Sequence, residues 1–252
     1  MIMKNARIFI TVIVLLSSLL IWAENEIAFD LKKRIESTMS SSRDFSAQLT
    51  VIKNIGLKFE DQEQYCLFRR DAEGLLLLLQ LKPEPVKGRA YLLKNGELWL
   101  YNPYARNFMQ TTSEQHISDA ACRVSDIAAW SFIRGYTMKE MTSAVLGSCD
   151  AYIIELSALD SSHPAPRLTL WVEKRDYLPL KLQVFNKQGM LERTVFYHKF
   201  TRIEGEIFPV SIYVEDAAGR KRKTQLIFSR FDIQSIPDFV FTRAYVEEIN
   251  KE

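Results

Sequence analysis

The sequence predicts an α+β protein, mainly β, in which a long antiparallel sheet curls or closes and helices cover its concave side. Three observations lead there. From Phe45 onward, apolar residues alternate with polar ones in short runs separated by turn residues, the pattern of an antiparallel meander. Before Phe45 they recur at Ile27, Leu31, Ile35 and Met39, the period of an amphipathic helix. A sheet with so many strands leaves long unpaired edges unless it curls or closes.

The chain begins with Lys4 and Arg7, then the apolar run Ile8 to Ile21, then Trp22, Ala23 and the acidic Glu24-Asn25-Glu26. A basic start, an apolar middle and a small residue before a polar stretch make a secretory signal peptide. Residues 1–23 are read as that signal and 24–252 as a single domain, with the periplasm as its location. The alternative is an uncleaved membrane anchor.

The first helix spans residues 26–40 and ends at Ser40-Ser41-Ser42. Phe45, Ala47, Leu49 and Val51 then alternate with Ser46, Gln48 and Thr50, a half-buried strand. Gln64 to Arg70 is the next strand. After the turn at Asp71-Ala72-Glu73-Gly74 come five leucines, Leu75 to Leu79, bounded by Pro83 and Pro85. The run is too short to cross a bilayer as a helix. As a strand it carries apolar side chains on both faces, so something must cover each. One reading is a central strand in an ordinary core; the other is a sheet whose second face receives a ligand. Arg89 to Lys94 and Glu97 to Tyr101 flank Asn95-Gly96, a strong hairpin signal, and Asn107 to Thr112 follows. A second helix is predicted over Asp126 to Arg134, with Ser125 to cap its start and Gly135 its end. Strands follow at Ala151–Ser157, Arg167–Glu173, Leu180–Phe185, Leu191–Thr201, Phe208–Glu215 and Lys223–Asp232. Turns include Asn186-Lys187-Gln188-Gly189 and Ala217-Ala218-Gly219, and Thr242 caps a short final helix.

The whole chain has 33 basic and 31 acidic residues. Lys4 and Arg7 leave with the signal, so the remainder is balanced. Nothing in that balance suggests nucleic acid, and Arg220-Lys221-Arg222-Lys223 reads as a solvated hairpin end. The three cysteines are too few for a disulfide scaffold. They make either one pair, with Cys122–Cys149 the first choice, or three separate buried thiols. No nucleophile elbow, metalloprotease helix, paired-cysteine or phosphate-loop motif is present. His116, His163 and His198 lie far apart, and His116 near Asp119 is better read as a polar loop than as part of a triad. The chain is therefore read as a binding protein, not an enzyme, with no catalytic residue, metal or cofactor.

Several segments carry a family likeness. LWLYNPYAR (Leu98 to Arg106) and KPEPVKGRAYLL (Lys82 to Leu93) come first. LWVEKRDYLPLKLQVFNKQG (Leu170 to Gly189), FPVSIYVEDAAGRKRKTQLIF (Phe208 to Phe228) and IPDFVFT (Ile236 to Thr242) follow. In order and spacing these resemble the outer-membrane lipoprotein-sorting proteins of the LolA-like family. Where that family often has a Gly-Ser-Asp-Phe stretch, this chain reads Arg123-Val124-Ser125-Asp126-Ile127. The resemblance implies an incompletely closed antiparallel barrel that shields acyl chains of a lipoprotein between two membranes. Its implied partners are acylated lipoproteins or lipids, an inner-membrane donor complex and an outer-membrane acceptor. It also implies an arginine latch between sheet and helix, for which Arg69 and Arg70 are candidate positions. The lipid-facing surface is assigned to Phe45, Ala47, Leu49, Val51, Tyr65, Leu67, Leu76, Leu78, Trp99 and Tyr101, with Trp130 approaching from the second helix. The parity within the leucine run stays open because both faces are apolar. A sensor of mislocalised lipoproteins in envelope stress, a carrier of another lipid, and an enzyme or structural envelope protein that merely shares the fold are the competing readings.

Cleavage after Ala23 makes Glu24 the first residue of the exported protein. N-terminal sequencing checks this, and intact residues 1–23 in a membrane fraction would show an anchor instead.

Overall fold

The computed structural model describes residues 30–56, 60–217 and 222–251. The predicted signal segment, the start of the first helix with Ile27, and residues 218–221 of the basic turn lie outside them.

Helix α1 covers residues 30–39 and buries Leu31, Ile35 and Met39, the stripe its period dictates. Six strands follow: β1 (Phe45–Lys53), β2 (Asp61–Arg70), β3 (Leu75–Lys82), β4 (Ala90–Lys94), β5 (Glu97–Asn102) and β6 (Asn107–Thr111). After the stretch 112–135 come β7 (Tyr136–Leu146), β8 (Cys149–Ala158), β9 (Arg167–Glu173) and β10 (Pro179–Phe185). The last strands are β11 (Leu191–Ile203), β12 (Glu206–Asp216) and β13 (Lys223–Ile233), before helix α2 (Arg243–Glu248). Thr242 caps α2, its Oγ1 accepting from the Tyr245 N–H at 3.2 Å.

All thirteen strands form one antiparallel sheet in the order β6-β5-β4-β3-β2-β1-β13-β12-β11-β10-β9-β8-β7. β13 returns to pair with β1, from Phe45 opposite Ile233 to Lys53 opposite Thr224. The two free edges are therefore β6 and β7, which are consecutive in the chain. The stretch 112–135 must run from one edge to the other. Its Glu114 accepts from Arg193 of β11 at 2.9 Å, while the Ser118 N–H donates to Tyr91 of β4 at 2.7 Å. Four residues reach at most about 14 Å. β4 and β11 stand six places apart, about 29 Å across a flat sheet. The sheet therefore curls around this stretch, and its edges stay unjoined.

The inner face holds the larger core. Phe45, Ala47, Leu49 and Val51 of β1 pack there with Tyr65 and Leu67 of β2, Leu76 and Leu78 of β3, and Val195, Val214 and Leu226 from the far side. The outer face of β3–β5 carries a second core, in which Leu75, Leu77, Ala90, Leu92 and Tyr101 meet Ile236, Val240, Phe241 and Val246. This accounts for the five leucines. The even-numbered ones face inward, and Leu75 and Leu77 are covered by the C-terminal segment.

Several expectations change. The predicted helix over Asp126–Arg134 is instead two short 3-10 turns, Val124–Asp126 and Trp130–Gly135. The Ile127 carbonyl, which a helix would use internally, accepts from Arg69 at 3.1 Å. Ser125 does not cap a helix; its hydroxyl accepts from Arg193 at 3.0 Å. The interior is thus filled largely by non-helical chain, and α2 lies on the outer face, not the concave one. Strand β7 was not anticipated, because as an edge strand it exposes residues on both sides, Met141 and Val145 among them, and so lacks alternation. The Cys122–Cys149 pair is not formed: Cys66, Cys122 and Cys149 are free thiols, with Cys122 wholly buried in the interior stretch.

Burial pushes the Cys122 thiol well above its ordinary range, which suppresses the reactive thiolate. A thiol-reactive dye should therefore leave Cys122 unlabelled in the folded protein and label all three cysteines after unfolding without reductant. Only one labelled cysteine in the unfolded chain would mean a disulfide.

Candidate functional site

The inner face is apolar along its strands, yet three buried cations stand on it at positions of the same parity as the core. Lys53 closes the β1 series that starts at Phe45. Arg69 continues the β2 series of Tyr65 and Leu67. Arg193 precedes Val195 and Tyr197 on β11. Each reaches the stretch 112–135, which is held in the interior as a plug.

Lys53 Nζ lies 2.9 Å from Glu63, 2.8 Å from Asp61 and 2.5 Å from Asp119 of the plug. Burial pulls the ammonium pKa down, but the bonds to Asp119, Asp61 and Glu63 outweigh it and hold the pKa above its usual value. Glu63 also accepts from the Tyr65 hydroxyl at 2.5 Å and from Ser118 of the plug at 3.0 Å. Arg69 is paired with Asp71 at 2.6 Å, and its other guanidinium nitrogen donates to the Ile127 carbonyl at 3.1 Å. Its guanidinium carbon stands 5.0 Å from the Phe45 ring centre, within cation–π range. Asp71 in turn accepts from the Ser41 N–H at 2.8 Å, so this link also ties down the end of α1. Arg70, the other latch candidate, points elsewhere: it pairs with Asp44 and Asp238 and donates to the Ile236 carbonyl.

Arg193 makes the densest link. It pairs with Asp126 at 3.0 Å and Glu114 at 2.9 Å and donates to Ser125 at 3.0 Å. Burial raises the Asp126 carboxyl above its usual range despite Arg193. Glu114 is held below its own range, because Arg193, Ser125 and Arg123 outweigh the effect of burial. Arg123 of the plug also pairs with Glu192 of β11. Beside Arg193 is a small cavity of about 60 Å³, lined by Tyr136, His163, Leu168, Leu182, Val184 and Tyr197 among others. Ligand pockets usually hold about 300–1,000 Å³. This cavity is too small for an acyl chain.

Of the surface assigned from the sequence, Phe45, Ala47, Leu49, Val51, Tyr65, Leu67, Leu76 and Leu78 come together on the inner face. Trp99 and Tyr101 do not: they face outward, with Tyr101 in the second core and Trp99 packed against it. Leu98 and Leu100 take the inward positions on β5, since β5 pairs Leu98 with Leu93 and Trp99 with Leu92. Trp130 begins a 3-10 turn, and its side chain lies outside the described part. Sequence reasoning missed Lys53, Arg69 and Arg193 as a set. The signal was available, since each sits at an inward position of an alternating strand, where a charge needs a partner. Among the described residues, no group of three or more His, Cys, Asp or Glu is placed to hold a metal ion. His116 Nδ1 donates to the Ala120 carbonyl at 2.8 Å, and His163 stands 3.2 Å from the Tyr136 hydroxyl. His198 packs on Tyr213.

Arg193→Met leaves the buried Asp126 without its counter-ion and Glu114 with only the longer pair to Arg123 at 3.7 Å, and should destabilise the protein by about 3–5 kcal/mol. Arg34→Met, which breaks the exposed pair with Asp30, should cost less than about 1 kcal/mol. Urea denaturation of both variants checks the contrast.

A family model described as "Uncharacterized protein"-like matches residues 74–248. No curated protein matches the chain. Among solved structures, a LolA superfamily protein from Nitrosomonas europaea superposes with a TM-score of 0.76 at 23% identity, covering 86% of this chain and 98% of that one. A domain named for outer membrane lipoprotein sorting, from Vibrio parahaemolyticus, gives 0.79 at 16% identity, covering 88% and 99%. A DUF1329 family protein from Desulfovibrio piger gives 0.78 at 18% identity, covering 88% and 98%. The chain belongs to the family of the matching model, and its fold is that of the LolA-like, outer-membrane lipoprotein-sorting proteins.

Proposed function

We propose that this protein is a periplasmic carrier that shields the acyl chains of a lipoprotein or lipid inside the curled sheet, in the space the plug now fills. The observation that carries the reading is the nature of that plug. It joins two unpaired edges, contains no long helix, and is held to the sheet by side-chain bonds from Lys53, Arg69, Arg193 and Tyr91. It can leave the interior without breaking any ladder of the sheet. What it would uncover is a continuous apolar face from β5 through β1 to β9.

The energetics suit such an exchange. Each methylene exposed to water costs about 0.8 kcal/mol, so one chain of about 16 carbons costs on the order of 12 kcal/mol. An acyl chain on the inner face recovers that cost and keeps the apolar strands dry when the plug withdraws. Arg69, bonded across to the Ile127 carbonyl, supports the latch position that the family likeness implies. An inner-membrane donor and an outer-membrane acceptor are the partners this role requires. The role is binding and transfer, with no chemical step.

Organic extracts of the exported, purified protein should contain acylated lipid when analysed by mass spectrometry. Leu49 is wholly buried on the inner face, while Thr50 lies on the other side of the same strand. Leu49→Glu should weaken binding of an apolar fluorescent probe at least about tenfold, and Thr50→Glu should change it little, since burying an unpaired charge is strongly unfavourable. Circular dichroism must show both variants folded. Equal effects in two folded variants would count against an internal lipid site.

A further inference from the structure

The three buried cations of the inner face differ in what they keep when the plug leaves. Lys53 keeps Asp61 and Glu63, both on β2. Arg69 keeps Asp71, which directly follows β2. Arg193 keeps nothing comparable. Glu114, Asp126 and the Ser125 hydroxyl all belong to the plug. Asp216, opposite Arg193 in register, is already paired with Arg222 at 2.8 Å. Glu192 would lose Arg123, but its side chain is 26% exposed and stays hydrated. A guanidinium left alone on a desolvated apolar face is strongly unfavourable. The open state therefore needs an anion delivered to Arg193 by whatever displaces the plug.

We infer that Arg193 is a binding site for an anionic group carried by the acyl ligand, a carboxylate or a phosphate, which takes the place of Glu114 and Asp126. The inference deepens the carrier reading and rests on it. A guanidinium offers two parallel donors to either anion. The small cavity is lined by Arg193 together with Leu168 of β9 and Leu182 and Val184 of β10. An anionic head on Arg193 would thus be followed by its chain along the inner face of β9 and β10.

The test compares ligand pairs that differ only in charge. A dansyl-labelled fatty acid and its methyl ester are titrated into the purified protein, and unlabelled lysophosphatidylglycerol and monoacylglycerol are used as competitors. The acid should bind at least about tenfold more tightly than the ester, the worth of a charged hydrogen bond. Whichever anionic lipid binds or competes more strongly identifies the head group as carboxylate or phosphate. Because Arg193→Gln alone can unfold the protein, the triple variant Arg193→Gln, Glu114→Gln, Asp126→Asn removes the charges on both sides together. In that variant the ester should bind at least as tightly as before, since the plug is held less firmly, while the acid and lysophosphatidylglycerol should lose their advantage and match their neutral counterparts. Arg193→Lys should retain part of the preference. Equal binding of charged and neutral lipids by the unmodified protein, or an unchanged preference in the triple variant, would overturn the anion site while leaving the carrier standing. No binding of any of the four lipids would overturn both.

Discussion

The chain enters its sheet at β1, in the middle of the strand order, and its last strand, β13, returns to lie beside it. Everything else follows from that return. The two free edges become β6 and β7, consecutive in sequence, and the stretch between them crosses the inside of the curl. An antiparallel sheet with one apolar face must cover that face. Here the connector between the edges does so, together with α1, which adds Leu31, Ile35 and Met39 to the same core. The filler is bound to the sheet covalently at both ends and by side chains in between. It is neither part of the sheet nor free of it.

Such a filler gives the interior its unusual chemistry. A plug of purely apolar residues would pack well but have no fixed position. This one is located by charge, through Lys53 with Asp119, Arg69 with the Ile127 carbonyl, and Arg193 with Glu114 and Asp126. Buried ion pairs contribute little net stability against well-packed apolar residues, because desolvation offsets their attraction, whereas loss of one partner is costly. They therefore fix where the stretch 112–135 sits more than they stabilise it. Cys122 and Ile117 at the centre of the plug, both wholly buried, supply the apolar contact between the charged anchors.

The outer face is managed differently. β3–β5 are apolar on both sides, and the C-terminal segment covers their outside with Ile236, Val240, Phe241 and Val246. Arg70 secures this cover from the end of β2 through Asp44, Asp238 and the Ile236 carbonyl. Its guanidinium also stands 5.4 Å from the Phe241 ring centre. The adjacent arginines of β2 point to opposite faces, as strand geometry requires. Arg69 holds the inner filler and Arg70 the outer cover.

The sequence by itself determined the local pattern: the amphipathic period of α1, the alternation of β1 and β2, the Asn95-Gly96 hairpin and the Thr242 cap. It also placed the inward residues of β1 and β2, because alternation is a property of one strand and its covalent neighbours; in β3, apolar on both faces, it left the parity open. It could not say which parity of β5 faces inward, since Leu98-Trp99-Leu100-Tyr101 is apolar on both sides, and only the register with β4 decided it. Nor could it show that Asp126 and Ile127 would serve Arg193 and Arg69 instead of a helix, because those partners lie far away along the chain. Local periodicity fixes faces. Cross-strand register and long-range charge pairing decide what each face meets, and they exist only after the sheet has curled.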